Sequence, residues 1–297
     1  MRVLARGKIN LTLNVVGRRP DGYHDLELIF QPVSLADELE IRENGTNELQ
    51  FSCSVPEFAG EDNLVCRGYR KLRERFPEKV RGLTVHLVKH IPSGAGMAGG
   101  SADCAALLLW MNEYFALGLD RQEMTEIGVS LGADVPACMM THATLGRGVG
   151  EILTDIGIHR DYPLLLLKPE VSFNTGAMFR ALDAAGYERQ RHTSAGMIEA
   201  MEAGDLTAMC GHLYNVFEEA VPERALIQGL KAQLMEAGAL GSLMTGSGSV
   251  VYGIFTDAEA RDRASEALRG LKNVRVYACE AINRWKEARD GEEGERE

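Results

Sequence analysis

The sequence has no surplus of basic residues. Lys and Arg number 32 against 43 Asp and Glu, a net charge of −11. A general DNA or RNA binder needs a basic face to displace counterions, and an electrostatic membrane anchor needs one too, so both classes are disfavoured. An anionic small molecule is not excluded, because a helix N-terminus and one or two lysines can hold phosphate on an acidic protein. No C-x-x-C pair occurs among Cys53, Cys66, Cys104, Cys138, Cys210 and Cys279. The six read as reduced, mostly buried thiols rather than a disulfide framework. There is no H-E-x-x-H, and the pair His86 and His90 falls on a predicted strand. Four residues of strand span about 13 Å, too far for one metal ion. No apolar run approaches the roughly 20 residues of a membrane span, and the N-terminus lacks a signal-peptide core. The expectation is a soluble, cytoplasmic protein with no nucleic-acid and no membrane partner.

What is present is globular composition, 45% hydrophobic and 25% charged. At roughly 150 residues per domain the length suits two domains. The first half opens with β signals. Ile9 to Val16 alternates apolar and polar residues like a half-buried strand. Arg18 to Gly22 is a turn, because Pro20 fixes φ and Gly22 permits positive φ. Strands are predicted over Tyr23 to Val33, Asp37 to Glu43 and Leu83 to Val88, with helices over Asp62 to Phe76 (capped by Asp62), Ala102 to Phe115 and Arg121 to Leu131. In the second half, strands are predicted over Tyr162 to Leu167, Val250 to Phe255 and Val274 to Cys279. Helices are predicted over Asn174 to Ala185, Thr193 to Ala203, Leu206 to Leu213, Glu223 to Ala237 and Asp257 to Leu271. That order suits an α+β sandwich. The division is placed at 1–158 and 159–288, with a charged, frayed tail over 289–297. There is no internal repeat and no long Pro- or Gly-rich linker, so the two parts should share a packed interface.

Ile91 to Asp103 carries four glycines within seven positions, between a strand and a helix. Glycines let a backbone approach an anion, and the unpaired N–H groups of the following helix point at it. Ser101 is placed as N-cap or as a hydroxyl ligand to phosphate or Mg²⁺. The alternative is a tight packing turn. Gly94, Gly96 and Gly99 fit the dinucleotide fingerprint, but no acidic residue at a strand end follows at the required distance. Gly94 and Gly99 fit half of a Walker loop, but Gly100 and Ser101 follow and the lysine is missing. Three more segments join the loop: Gly7-Lys-Ile-Asn10, Gly132-Ala-Asp-Val-Pro136 and Gly241-Ser-Leu-Met-Thr-Gly-Ser-Gly-Ser249. In the second of these, Pro136 biases Val135 to extended geometry and constrains Asp134. Each has a bland reading alone, as surface lysine, helix stop or flexible turn.

Together with the Arg18-Arg-Pro-Asp-Gly-Tyr-His24 hairpin, these segments resemble the GHMP kinase superfamily over nearly the whole chain. The resemblance implies a two-domain α+β fold, with a left-handed βαβ crossover in the N-terminal domain and a ferredoxin-like C-terminal domain. It implies ATP-dependent phosphorylation of a small alcohol, with ATP and Mg²⁺ as cofactors. The hairpin points to a cytidine-diphosphate substrate. The ATP loop would be Pro92, Ser93, Gly94, Ala95, Gly96, Met97, Ala98, Gly99, Gly100, Ser101 and Ala102. Lys8 and Asp134 would be catalytic. Asn10, Tyr23, His24, Lys89 and Phe173 would bind substrate, with Tyr23 and Phe173 as walls of a base slot. The metal ligands are left open, since Ala95, Ala98, Ala102 and Asp103 depart from the family's more usual loop residues. Other readings are a kinase of the homoserine or mevalonate type and a nucleotide-binding regulator without turnover. The regulator would be expected to lack Lys8 or Asp134.

Overall fold

The computed structural model describes residues 1–157, 160–186 and 193–283. The division expected near residue 158 and the tail 289–297 lie outside them. The first two strands, β1 (Arg2–Arg18) and β2 (His24–Glu43), form one antiparallel hairpin. β2 is a single strand of 20 residues rather than the two shorter ones read from the sequence. The polar step at Ser34 to Asp37 is bridged by a bulge. Arg6 faces Ala36 and Lys8 faces Pro32, so Gly7 alone stands opposite 33–35. β1 is also not half-buried. Residues 7–15 are buried on both faces, polar Asn10, Thr12 and Asn14 included.

β3 (Gln50–Cys53), α1 (Leu64–Arg75) and β4 (Leu83–Val88) form a parallel βαβ unit on the edge of β2. Asn63, not Asp62, caps α1, its side chain accepting the Val65 N–H. An Asn or Asp in that place serves equally, and the chain enters the helix one residue later than read. α2 (Gly99–Tyr114) starts three residues earlier than expected and is buried on nearly all sides. α3 (Arg121–Leu131) follows, held at its start by the reciprocal Asp120 and Glu123 capping box. Then come the four-residue α4 (Val135–Cys138) and the short strands β5 (Thr144–Gly148) and β6 (Ile152–Asp155), which the sequence reading missed.

The remainder runs β7 (Tyr162–Pro169), α5 (Thr175–Ala185), α6 (Ala195–Glu202), α7 (Leu206–Gly211), β8 (Tyr214–Asn215), α8 (Arg224–Glu236), β9 (Gly241–Met244), β10 (Val251–Ile254), α9 (Ala258–Leu268) and β11 (Val274–Ala281). Gly241 to Met244 is thus strand, and only Thr245 to Ser249 is turn. The antiparallel order β11-β7-β10-β9 is fourth, first, third, second, with helices in the two crossovers, which is the ferredoxin-like pattern. Ala281 of β11 pairs with Val33 of β2, beside the Gly7 bulge, so the sheet continues from one half into the other. Among the described residues no helix is long and apolar enough to cross a membrane.

α2 is the inner layer of the first half. Leu107 and Leu108 are fully buried in one cluster with Leu39, Ile41, Val85 and Leu87 of the sheet. Leu107→Ala should lower the unfolding free energy by about 2–5 kcal/mol in urea titrations, because a rigid core cannot collapse into the void.

Candidate active site

β1, the glycine loop, α4, α5 and the turn after β9 enclose a cleft of about 1030 Å³. Lys8 lies on its floor, 5% exposed. Its Nζ donates to Asn10 Oδ1 at 2.9 Å and to the Gly96 carbonyl at 3.0 Å, and stands 3.9 Å from Asp134 Oδ2. The two residues singled out as catalytic, 126 positions apart, therefore meet. Asp134 is the N-cap of α4 but makes no side-chain capping bond, which leaves its carboxylate facing the cleft. Val135 is helical rather than extended. Pro136 falls in the first turn of α4, where its missing N–H has no intrahelical partner to lose. Asn10 accepts from Lys8, while its amide Nδ2 is buried in the cleft wall without a partner.

Pro92 to Ser101 line the cleft; Ala102 does not, being on the side of α2 that is buried in the core. Ser101 is inside α2 and caps nothing. The N-cap is Ala98, at φ 56°, with no side-chain bond. The helix thus begins with bare N–H groups at the cleft. The loop is seated on the turn after β9. Ser249 N–H donates to Gly94 O and Val250 N–H to Ala95 O, both at 3.3 Å. Gly96, at φ 74°, lies so close that a Cβ would sit 2.1 Å from the Thr245 carbonyl oxygen. Asn215 holds that turn in place, donating through Nδ2 to the carbonyls of Met244 and Gly246.

At the other end of the cleft, Tyr23 is 64% exposed, not half-buried as read from the sequence, because it precedes β2 in the hairpin turn. His24 is buried. Its Nε2 is 2.8 Å from Asp183 Oδ1, and its ring stacks on Phe179 at 4.7 Å and 9°. Phe173 does line the cleft, but it packs against Gly248 near the glycine turns. The aromatic against His24 is Phe179, on α5 one turn after Thr175, and it lines the same cleft as Tyr23. Lys89 also lines the cleft, but its ammonium is engaged by Asp37 and by Asp103, the latter at 2.6 Å. Asp103 stands in the otherwise apolar run from Ala102 to Met111 of α2. Thr245 lies in the second glycine segment, whereas Asp37, Asp183 and Asn215 carry no local signal.

Burial pushes the Asp103 carboxyl up to about 7, and neighbouring Asp37 adds to the shift, while Lys89 opposes it. Lys89 is itself raised: burial works against its charge, but the two carboxylates outweigh that cost. A cation with one ionised and one protonated carboxyl makes a neutral cluster, the least costly way to bury three such groups. The six cysteines are free, and burial raises the thiols of Cys66, Cys104, Cys138, Cys210 and Cys279, so none of these five is an activated nucleophile. Among the described residues no group of three or more His, Cys, Asp or Glu is placed to hold a metal.

A phosphate-type loop, a lysine–aspartate pair and a ferredoxin-like second half define a small-molecule kinase of the GHMP class. The family model for the GHMP kinase N-terminal domain matches residues 63–142, and that for the C-terminal domain matches 197–273. A 4-diphosphocytidyl-2-C-methyl-D-erythritol kinase from Alkaliphilus metalliredigens is 35% identical, over 97% of this chain and 99% of its own length. One of the same name from Caldanaerobacter subterraneus is 37% identical over 96% of both. The chain belongs to this kinase family. A crystal structure of 4-(cytidine 5'-diphospho)-2C-methyl-D-erythritol kinase superposes with TM-score 0.80 at 30% identity, covering 94% of this chain and 98% of that one. A mevalonate kinase from L. major, at TM-score 0.72 and 16% identity over 95% and 96%, shares the fold.

The aspartate of the buried cluster has a signature in stability. An unfolded Asp103 titrates at its ordinary value near 3.8, the folded one near 7. The folded protein holds that proton more tightly, so the contribution is fully present below pH 4 and is lost as pH rises to about 7. Urea unfolding at about pH 5 and pH 7.5 should show the parent losing stability across this window relative to Asp103→Asn, which has no proton to release.

Proposed function

We propose that this protein transfers the γ-phosphoryl group of ATP to the 2-hydroxyl of 4-diphosphocytidyl-2-C-methyl-D-erythritol, in the non-mevalonate route to isoprenoid precursors. The observation that carries the chemistry is the Lys8–Asp134 pair, 3.9 Å apart and beside the glycine loop. The relatives' names carry the substrate. A cytoplasmic setting is inferred from the free thiols. The two-domain division at 1–158 and 159–288 is proposed on the two family models, which match on either side of it.

In this reading the bare N–H groups at the start of α2 and the loop Pro92–Ser101 hold the nucleotide phosphates. Asp134 accepts the proton of the substrate hydroxyl as its oxygen bonds to the γ-phosphorus and the bond from that phosphorus to the bridging oxygen breaks. ADP leaves with that electron pair. Lys8, held by Asn10 and the Gly96 carbonyl, faces both Asp134 and the transferring group. Its position is set before substrate arrives, which is what electrostatic catalysis requires. Mg²⁺ is proposed with the nucleotide. Ser101 Oγ, which lines the cleft, is a hard oxygen donor of the kind it takes, and it would supply neutralisation of phosphate charge. Tyr23 and Phe179, with His24 stacked on Phe179, form the flat surfaces for the cytosine ring. Asn10 Nδ2 is a donor waiting for a substrate oxygen or nitrogen. Lys89 and Phe173 are left out of the substrate contacts, since one is ion-paired and the other packs at the glycine turn.

Asp134→Asn should keep ATP affinity and melting temperature but lower kcat by about 10²–10⁴ in a coupled ADP-release assay with the cytidine substrate. Activity within a few-fold of the parent would remove Asp134 from the mechanism. Tyr23→Ala and Phe179→Ala should each raise KM for the cytidine substrate about 5- to 150-fold, with KM for ATP nearly unchanged. Phe173→Ala should not reproduce this pattern. Homoserine and mevalonate tested beside the cytidine substrate should not be consumed.

A further inference from the structure

Three elements meet at the foot of the glycine loop. Asp37 comes from β2, Lys89 from the segment after β4, and Asp103 from the second turn of α2. Lys89 Nζ pairs with Asp37 and with Asp103 Oδ2. Asp37 Oδ1 also accepts the backbone N–H groups of His90 and Ile91, the latter at 2.8 Å. The side chains of Lys89, Asp37 and Asp103 are 9%, 0% and 2% exposed. The loop Pro92–Ala98 is therefore strung between two points that one ammonium joins: its entry at Lys89 and its exit helix at Asp103. Asp37 ties the entry to the sheet. The start of α2 also rests on this junction, since a Cβ on Gly99 would lie 3.2 Å from Ile91 and 3.4 Å from Lys89 Nζ.

A buried ion cluster of this kind is weak as a source of stability, because desolvation offsets most of the attraction. What it does supply is a fixed distance between groups from three elements. The loop itself cannot hold that distance. Gly94 and Gly96 sit at positive φ, and Gly99 and Gly100 follow at once.

We propose that Lys89 is a positioning residue for the nucleotide: through Asp37 and Asp103 it sets the spacing between the loop's entry and the first N–H groups of α2, and with it the shape of the phosphate cradle. This rests on the reading of the cleft as an ATP site. It assigns Lys89 to the donor side of the reaction, away from the cytidine substrate.

The test uses the full-length protein with Lys89→Gln and with the charge-balanced Lys89→Gln/Asp37→Asn, which removes one positive and one negative group together, keeps the net charge of the cluster and so guards against misfolding. Steady-state kinetics would be paired with amide hydrogen exchange on the ligand-free protein. Both variants should raise KM for ATP about tenfold or more, with KM for the cytidine substrate within about twofold and kcat changed less than KM for ATP. Exchange over residues 93–99 should quicken while 104–111 keep the parent's protection. A raised KM for the cytidine substrate with KM for ATP unchanged would make Lys89 a substrate contact and overturn the proposal. So would a lower melting temperature with both KM values and loop exchange unchanged. If the parent consumed no ATP, the ATP-site reading would fail by itself. The exchange data would still judge the clamp, with faster loop exchange supporting it and unchanged exchange overturning it.

Discussion

Two glycine segments from distant parts of the chain touch backbone to backbone, and the cleft depends on that contact. Gly96 approaches the Thr245 carbonyl to a distance that no side chain at position 96 would permit. The N–H groups of Ser249 and Val250 then reach the carbonyls of Gly94 and Ala95. Ala95 and Met97 of the one and Val250 beside the other anchor both in a shared hydrophobic cluster, and the backbone contact fixes their spacing. Lys8 completes the junction by donating to the Gly96 carbonyl, which brings its charge to the place where Asp134 waits. A cluster of glycines that looks flexible in sequence is in this setting one of the more constrained parts of the protein.

How much of this was legible follows from the range of the interactions involved. α3 could be placed to the residue because its start is signalled locally by the Asp120 and Glu123 pair. Lys8 and Asp134 stood out because they sit in short segments with unusual neighbours, and the fold does bring them together. β5, with the sequence Thr144-Leu-Gly-Arg-Gly148, escaped notice because two glycines in five residues carry little strand preference; its pairing with β2 decides its conformation. The exchange of Phe173 for Phe179 has a similar cause. Both precede or ride on α5, and only the tertiary packing of α5 on Phe217 and His24 says which ring reaches the hairpin. The ion pairs of Lys89 were not legible, because its two carboxylate partners come from residues 37 and 103, far from it along the chain.

The cleft also shows how an acidic chain can serve anionic ligands. Its net charge of −11 acts at long range and is screened within about 8 Å at physiological salt. Inside the cleft the local balance governs. Asp37 and Asp103 are matched by Lys89, and Asp183 is shared between His24 and Arg18. Helix N–H groups and the Lys8 ammonium then face the ligand without a large opposing field.

The pairing of Asn10 with partners at residues 245 and 252 has a consequence for how the molecule is made. Asn10 donates its backbone N–H to Thr245 Oγ1 and accepts the Tyr252 hydroxyl on its carbonyl, across 235 and 242 positions. Asn10 is translated 235 residues ahead of the first of these partners and must wait for it. Chains with such separations close their contacts slowly, and domains translated early stand incomplete meanwhile. At translation speeds of about 5–20 residues per second, the floor of the cleft remains without its lid of turns for roughly ten seconds or more. Through the later part of that interval the nascent chain carries its lysine and its first glycine loop without the turn on which that loop is seated.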